Sequence, residues 1–498
     1  MENGYHSEPM DNVDRAWLGM DSETNLMIIN GVLMFDELID FSRFRSLFQE
    51  RLVGQFARFG QRLVERPRGS GRYYWVTDPY FDIRAHVHRL ALPAPGDKQM
   101  LQSLVSDLMN SDFDKNKPLW TVYLIEGYGE GCAVFARFHH CIADGIALIR
   151  VMLSLTDEAA EGKEQTVKPR YASSDDPRRS ALFKPFRPLL NLSRTTINQT
   201  GRLGAMTLRQ ILSTLDDPAG FIEMAKSVGI LSAAGAATLT RLIILPPDRT
   251  SIYQGKLGTV KQTVWSEPIP LPEVKRIGKS LGGTVNDVLI AALTGALRVH
   301  MAEKGDDPDR GDLRAMVPVN LRPLDQAIEL GNRFGLVYLT LPVSLADPMQ
   351  RLYEVKRRMD ILKSSPEAIL AYQVLNGLGV LPGDLAVRAT DMFAGKASAV
   401  LTNVPGPRTT RYFAGAPLRR MMFWVPQSGD IGVGLSIISY NDEVCLGIVI
   451  DEKLIANPNQ ILVAFQREFE MLSRLADKYN AAKETVYQNV MSLSIDDE

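Results

Sequence analysis

Runs with strand-like and helix-like apolar spacing succeed one another along the whole chain. Leu26–Phe35 is rich in strand-favouring residues, Phe41–Leu63 spaces Phe, Leu and Val as a helix does, and 97–110 reads as an amphipathic helix. Thr121–Gly127 is a further strand. The second half repeats the mixture. Strands are expected at Thr259–Trp265, Arg314–Leu321, Gly335–Pro342, Ala399–Val404, Leu418–Val425, Gly432–Asn441 and Val444–Asp451. The last two are joined by the hairpin signal Asn441-Asp442. Helices are expected over Pro272–Leu281, from Thr284 onward, twice between Pro348 and Phe393, and over Asn459–Lys478.

Between these halves the pattern weakens. From about Asp157 the chain turns polar, and a crossover linker is expected over 161–255, after an N-terminal domain of 1–160 and before a C-terminal domain of 256–480. A polar tail, 481–498, follows. Inside the linker, Lys184, Arg187, Arg194, Arg202 and Arg209 interleave with large apolar residues, with no acidic residue among them. Such a segment can lie in a lipid interface, or it can dock its apolar side on the protein and leave its charges solvated. Pro185 and Pro188 break any helix there. Val228–Leu245 is too small-residue-rich, and carries Arg241, to read as a membrane span.

A chain of 498 residues is too long for one ordinary core, so two large domains are expected. The net charge of −2 offers no basic field for nucleic acid. Three cysteines without paired spacing suggest a reducing compartment and no disulfide framework, and nothing suggests a metal site. The first residues show no basic start followed by an apolar core, so a protein that is cytoplasmic or attached to the cytosolic side of a membrane is expected.

The chemistry concentrates at Val134–Gly145, where a strand ends in His139-His140, a tight turn follows, and Asp144-Gly145 opens an apolar helix. Side chains at a strand end face a cleft, and the three-residue spacing lets Asp144 organise the turn that carries His140. A Ser/His/Asp relay is the other reading of this pair, but no serine nucleophile accompanies it.

The pattern His-His-x-x-x-Asp-Gly resembles the active-site signature of the wax ester synthase/diacylglycerol acyltransferase family, within the coenzyme A-dependent acyltransferases. Similar blocks occur at Met10–Leu18, Trp75–Val87 with its Pro/Gly turn, Pro118-Leu119-Trp120, Thr284–Asp287, Val317–Arg322, Gly331–Gly335 and Thr402–Pro407. The resemblance implies a mixed α/β fold, with two chloramphenicol-acetyltransferase-like domains facing each other across a central channel. It implies transfer of a fatty acyl group from acyl-coenzyme A, bound as substrate with no cofactor, to diacylglycerol or a long-chain alcohol. An acyl-coenzyme A-dependent transferase for another alcohol, or a non-catalytic lipid-droplet surface protein, is the alternative. His140 is expected to be the general base, with His139 orienting it or touching substrate. Asp144 is expected to pair with an arginine of unknown position, and Gly145 to complete the turn. Thr284 and Asp287 are expected to cap a helix, and Asn286 and Asp287 to stand at the oxyanion or substrate; both roles can hold, with Asn286 the preferred side-chain contributor and Thr402 a further hydroxyl donor. Trp120 is expected to be a packing anchor, followed by Thr121 where the family usually has an acidic residue. His86 and His88 are expected to be ordinary strand histidines.

Overall fold

Strand β7 (Gly131–His139), all nine of whose residues are buried, is the spine of the first half. In the computed structural model, which describes residues 7–160, 244–322, 328–379 and 390–493, it lies between β2 (Ile28–Phe35) and β6 (Trp120–Tyr128), antiparallel to both. Continuous apolar side chains suit it because helices and loops cover both faces of the sheet. The basic segment 184–209, most of the apolar stretch 228–245 and the end of the tail lie outside the described residues.

The elements before β7 are β1 (Ser7–Pro9), α1 (Asn12–Gly19), α2 (Phe41–Leu47), β3 (Gln61–Glu65), β4 (Tyr73–Thr77), β5 (Val87–Ala91) and α3 (Lys98–Met109). Strands β1, β4 and β3 form a small sheet of their own. The single helix expected over 41–63 is divided: α2 passes into a π-helical turn at Phe48–Val53, and the chain then leaves as β3. Gly54 and Gly60 punctuate that stretch, and Phe44 and Phe48 pack into the core, their rings 5.0 Å apart. The block Trp75–Val87 runs from the end of β4, through the Asp78-Pro79 turn and a 3-10 turn at Ile83–Ala85, to the first residue of β5.

After β7 comes α4 (Gly145–Ser154). The second half contains β8 (Lys261–Trp265), β9 (Ile269–Pro270), α5 (Leu271–Leu281), α6 (Val285–Glu303), β10 (Leu313–Asn320), β11 (Phe334–Leu341), α7 (Pro348–Lys363), α8 (Glu367–Leu378), β12 (Ala399–Pro405), β13 (Tyr412–Phe413), β14 (Ala416–Trp424), β15 (Val433–Tyr440), β16 (Glu443–Asp451) and α9 (Asn459–Leu493). Helix α9 runs through most of the expected polar tail, because 479–485 contains Ala481, Ala482, Lys483 and Glu484 and no Gly or Pro. Helix α6 has the length and hydropathy of a membrane span, yet 72% of it is buried within the second core. It is a core helix.

The second sheet is ordered β11-β10-β12-β15-β16-β8, with β9 on β16. The β15–β16 hairpin turns at Asn441 and Asp442 with φ of 48° and 58°, the left-handed pair that a two-residue turn requires. Strand β14, though it belongs to the second half of the sequence, leaves that sheet and pairs antiparallel with β2, from Leu418 opposite Phe35 to Trp424 opposite Asn30. The first sheet therefore reads β13-β14-β2-β7-β6-β5. Mixed α/β halves thus face each other, laced by β14 with the short β13 at its outer edge.

Candidate functional site

Successive side chains of a strand point to opposite faces, and at the end of β7 this separates the two histidines. His139 turns toward Asp21, its Nε2 3.7 Å from Asp21 Oδ2, while its Nδ1 accepts from the Cys141 amide at 3.2 Å. Burial pushes the Asp21 carboxyl up, but the facing His139 imidazole and the hydrogen bonds from the Met27 amide and Lys115 outweigh it and bring the group down to about 2. His139 is thus held in a buried charged nest, and it is not among the residues that line the cavity described next.

His140 faces a cavity of about 730 Å³, counted to its open mouth. Its walls come from both halves: Trp17, Gly145 and Ile146 with Asn320, Phe334, Thr402 and Asn403, closed by Phe423 and Val425 near the end of β14. The imidazole stacks on Trp17 with ring centres 4.0 Å apart and planes 18° from parallel. Burial lowers its pKa from 6.5 to about 4, against the opposing pull of the Asp144 charge. The ring is therefore neutral through the physiological range. Its Nδ1 is sealed from solvent without a hydrogen-bond partner.

The loop carrying His140 is fixed by the second half of the chain. Asp144 caps α4, its Oδ1 accepting from Ala147 N at 2.9 Å, and its Oδ2 accepts from Arg333 N at 3.0 Å and pairs with the Arg322 guanidinium. Arg322 also donates to the Gly331 carbonyl. Ala143 and Gly331 form a parallel bridge, and Asn332 Nδ2 donates to the His140 carbonyl at 2.8 Å and to Asp14 Oδ1 at 2.9 Å. Burial raises the Asp14 carboxyl to about 7, against the lowering effect of Asn332 and Arg58. Gly145 follows at the first helical position, where an added Cβ would lie 3.4 Å from Val425 Cγ1.

Thr284 and Asp287 form a reciprocal capping box at the start of α6, each satisfying the other's backbone amide. Asn286 does not line the cavity; its Oδ1 accepts from Asn403 Nδ2 at 2.6 Å, and it is Asn403 that reaches the cavity wall. Asp287 thus belongs to the cap, whereas Asn286 stands outside it, behind Asn403. Thr402 lines the cavity, its hydroxyl 3.0 Å from Ser436 Oγ. Trp120 is a packing anchor, buried with its Nε1 donating to the Phe59 carbonyl at 2.8 Å, and Thr121 stands opposite Arg137 across the β6–β7 ladder. His86 is buried against Trp120, and its Nδ1 is 2.8 Å from the Trp120 carbonyl. Arg322, Asn332, Asn403 and Trp17 are the site residues that residue-level reasoning did not single out, although each stands in a block that had been noted.

Two further cavities adjoin. One, of about 540 Å³, is walled by Met20, Tyr338, Val374, Leu375 and Phe393 and shares Trp17, Met316, Leu336 and Ser428 with the histidine cavity. The other, of about 430 Å³, is more polar, includes Asn25, Asn30, Asn110, Lys261 and Gln427, and meets the histidine cavity at Val425 and Pro426.

Paired α/β halves meet around a histidine loop, and the proteins the chain matches make it an acyltransferase. Residues 10–289 match the wax ester synthase/diacylglycerol acyltransferase catalytic domain, and residues 330–473 match the C-terminal domain of the same proteins. The chain belongs to the wax ester synthase/diacylglycerol acyltransferase family. It is similar to a probable diacylglycerol O-acyltransferase, tgs1, of Mycobacterium tuberculosis, with 28% identity over 92% of each chain. It is also similar to the O-acyltransferase WSD of Acinetobacter baylyi, with 25% identity over 95% of this chain and 99% of that one. The solved wax ester synthase/diacylglycerol acyltransferase from Marinobacter aquaeolei VT8 shares the fold, with a TM-score of 0.63 and 21% identity over 94% of this chain and 100% of that one.

Proposed function

We propose that this acyltransferase moves a fatty acyl group from acyl-coenzyme A to the hydroxyl of diacylglycerol or a long-chain alcohol, with His140 as the general base. The observation that carries this reading is a neutral, buried imidazole facing a cavity built by both halves of the chain. A thioester is already an activated donor, so direct transfer needs only a base, an oxyanion donor and the exclusion of water. His140 takes the hydroxyl proton as the oxygen attacks the thioester carbonyl. The oxyanion forms against the side chains of Asn403 and Thr402, with Asn286 orienting Asn403 through their hydrogen bond. Collapse re-forms the carbonyl and expels the coenzyme A thiolate, which takes the proton back from His140. The adjoining apolar cavity suits a long aliphatic chain.

His140→Ala is the direct test. The variant is expected to keep the circular dichroism spectrum and to lose ester formation from labelled acyl-coenzyme A by at least about a hundredfold. Normal turnover in a folded His140→Ala would remove the proposed base. Offering diacylglycerol, fatty alcohol and short alcohols together in the same assay identifies the acceptor.

A further inference from the structure

Trp17 sits where two features meet. Its indole stacks on the His140 imidazole and, at 5.6 Å, on the ring of Phe334. The same side chain is the one aromatic residue common to the histidine cavity and the apolar cavity beside it; the other shared walls are Met316, Leu336 and Ser428. Trp17 is 4% exposed and rides on α1, three residues after Asp14, which holds Asn332 and through it the His140 carbonyl. That spacing puts both residues on one helix face. One short helix therefore grips the base twice: Asp14 through the loop backbone, Trp17 on the ring.

We propose that Trp17 is a positioning residue that ties the placement of the base to the acyl chain: its indole fixes the ring plane of His140 and forms the wall against which a long aliphatic chain packs in the apolar cavity. This inference rests on the reading of His140 as base. An aliphatic chain long enough to reach the second cavity buries apolar surface on the indole, and so holds it against the imidazole. A short chain leaves that cavity unfilled and the stack less constrained. Discrimination between donors then falls on kcat as well as on KM, because the contact acts on the geometry of the reacting groups. Trp17 also excludes water from the imidazole, so its removal hydrates the ring and lets its pKa return toward the ordinary histidine value.

The test uses the full-length protein and three variants, Trp17→Leu, Trp17→Phe and His140→Ala, with octanoyl- and oleoyl-coenzyme A as donors. Trp17→Leu is expected to lower kcat with the oleoyl donor by about ten- to a hundredfold, the cost of a misplaced catalytic group. It is also expected to shrink the oleoyl-to-octanoyl ratio of kcat and to move the acid limb of kcat/KM upward. Trp17→Phe, which keeps an aromatic face, is expected to recover most of kcat and to restore the acid limb. A purely structural role would lower the melting temperature and the yield of folded protein, with the donor ratio and the acid limb of the folded fraction unchanged. That result overturns the proposal. Should Trp17→Leu fail to fold, Trp17→Phe decides on the donor ratio alone, because the smaller ring withdraws part of the chain-facing wall: an unchanged oleoyl-to-octanoyl ratio overturns the proposal, and a smaller ratio supports it. If His140→Ala retains turnover, the reading of the base falls; if His140→Ala is inactive while both Trp17 variants match the wild type, this inference alone falls.

Discussion

The imidazole of His140 carries a cost to the fold that can be measured without substrate. Its pKa in the folded chain, about 4, lies below the value of 6.5 for the unfolded chain, so between these limits the unfolded state holds more protons. Stability from this residue is therefore complete above about pH 6.5 and declines as the pH falls toward 4. Between pH 7 and pH 5 the wild type is expected to lose about 2 kcal/mol more than His140→Gln, read as the difference in urea unfolding free energies. Equal losses in the two proteins would mean that the ring is not held neutral by the fold. The role of Asp144 was legible from its spacing to His140, because a carboxylate at a helix start is a local matter. Its partner was not, since a separation of 178 in sequence between Asp144 and Arg322 leaves no local periodicity to link them. The division of labour between His139 and His140 needed the strand direction, which adjacency in sequence does not supply.

At the scale of the element, the start of α6 shows how a motif can serve a site indirectly. Thr284 and Asp287 are engaged with each other's backbone, and only Asn286 passes the effect on, through Asn403. Thr284→Ala is expected to cost about 1 kcal/mol in chemical denaturation, the usual worth of such a cap, with kcat lowered severalfold at most. A complete loss of turnover in a stable Thr284→Ala would place Thr284 in the chemistry. Most elements could be read from apolar spacing, and β7, α4 and the β15–β16 hairpin lie where the pattern puts them. The exceptions have physical causes. Phe41–Leu63 keeps helical spacing through a π-turn that packs Phe48 inward, and α9 continues because nothing in 479–485 stops it.

For the molecule as a whole, β14 is the decisive element. Apolar alternation reveals a strand and says nothing of which sheet receives it, so its departure to β2 could not be read from sequence. Residues 7–160 expressed alone leave β2 without that neighbour, exposing a long apolar edge. The fragment is expected to aggregate or to lack a cooperative thermal transition, whereas the full chain unfolds with both sheets together. A soluble fragment melting sharply by near-ultraviolet circular dichroism would show that the first half is independent.

The contacts from Arg322 and Asn332 to the histidine loop bear on how other genomes are read. A chain that carries the whole His-His-x-x-x-Asp-Gly string is expected to be inert if the distant arginine and asparagine that pin it have been replaced, as Arg322→Ala and Asn332→Ala would check in an acyl-transfer assay. Surveys that count competent lipid-forming enzymes by that string alone would therefore overcount, and screening for the remote pair alongside it would separate working copies from decayed ones.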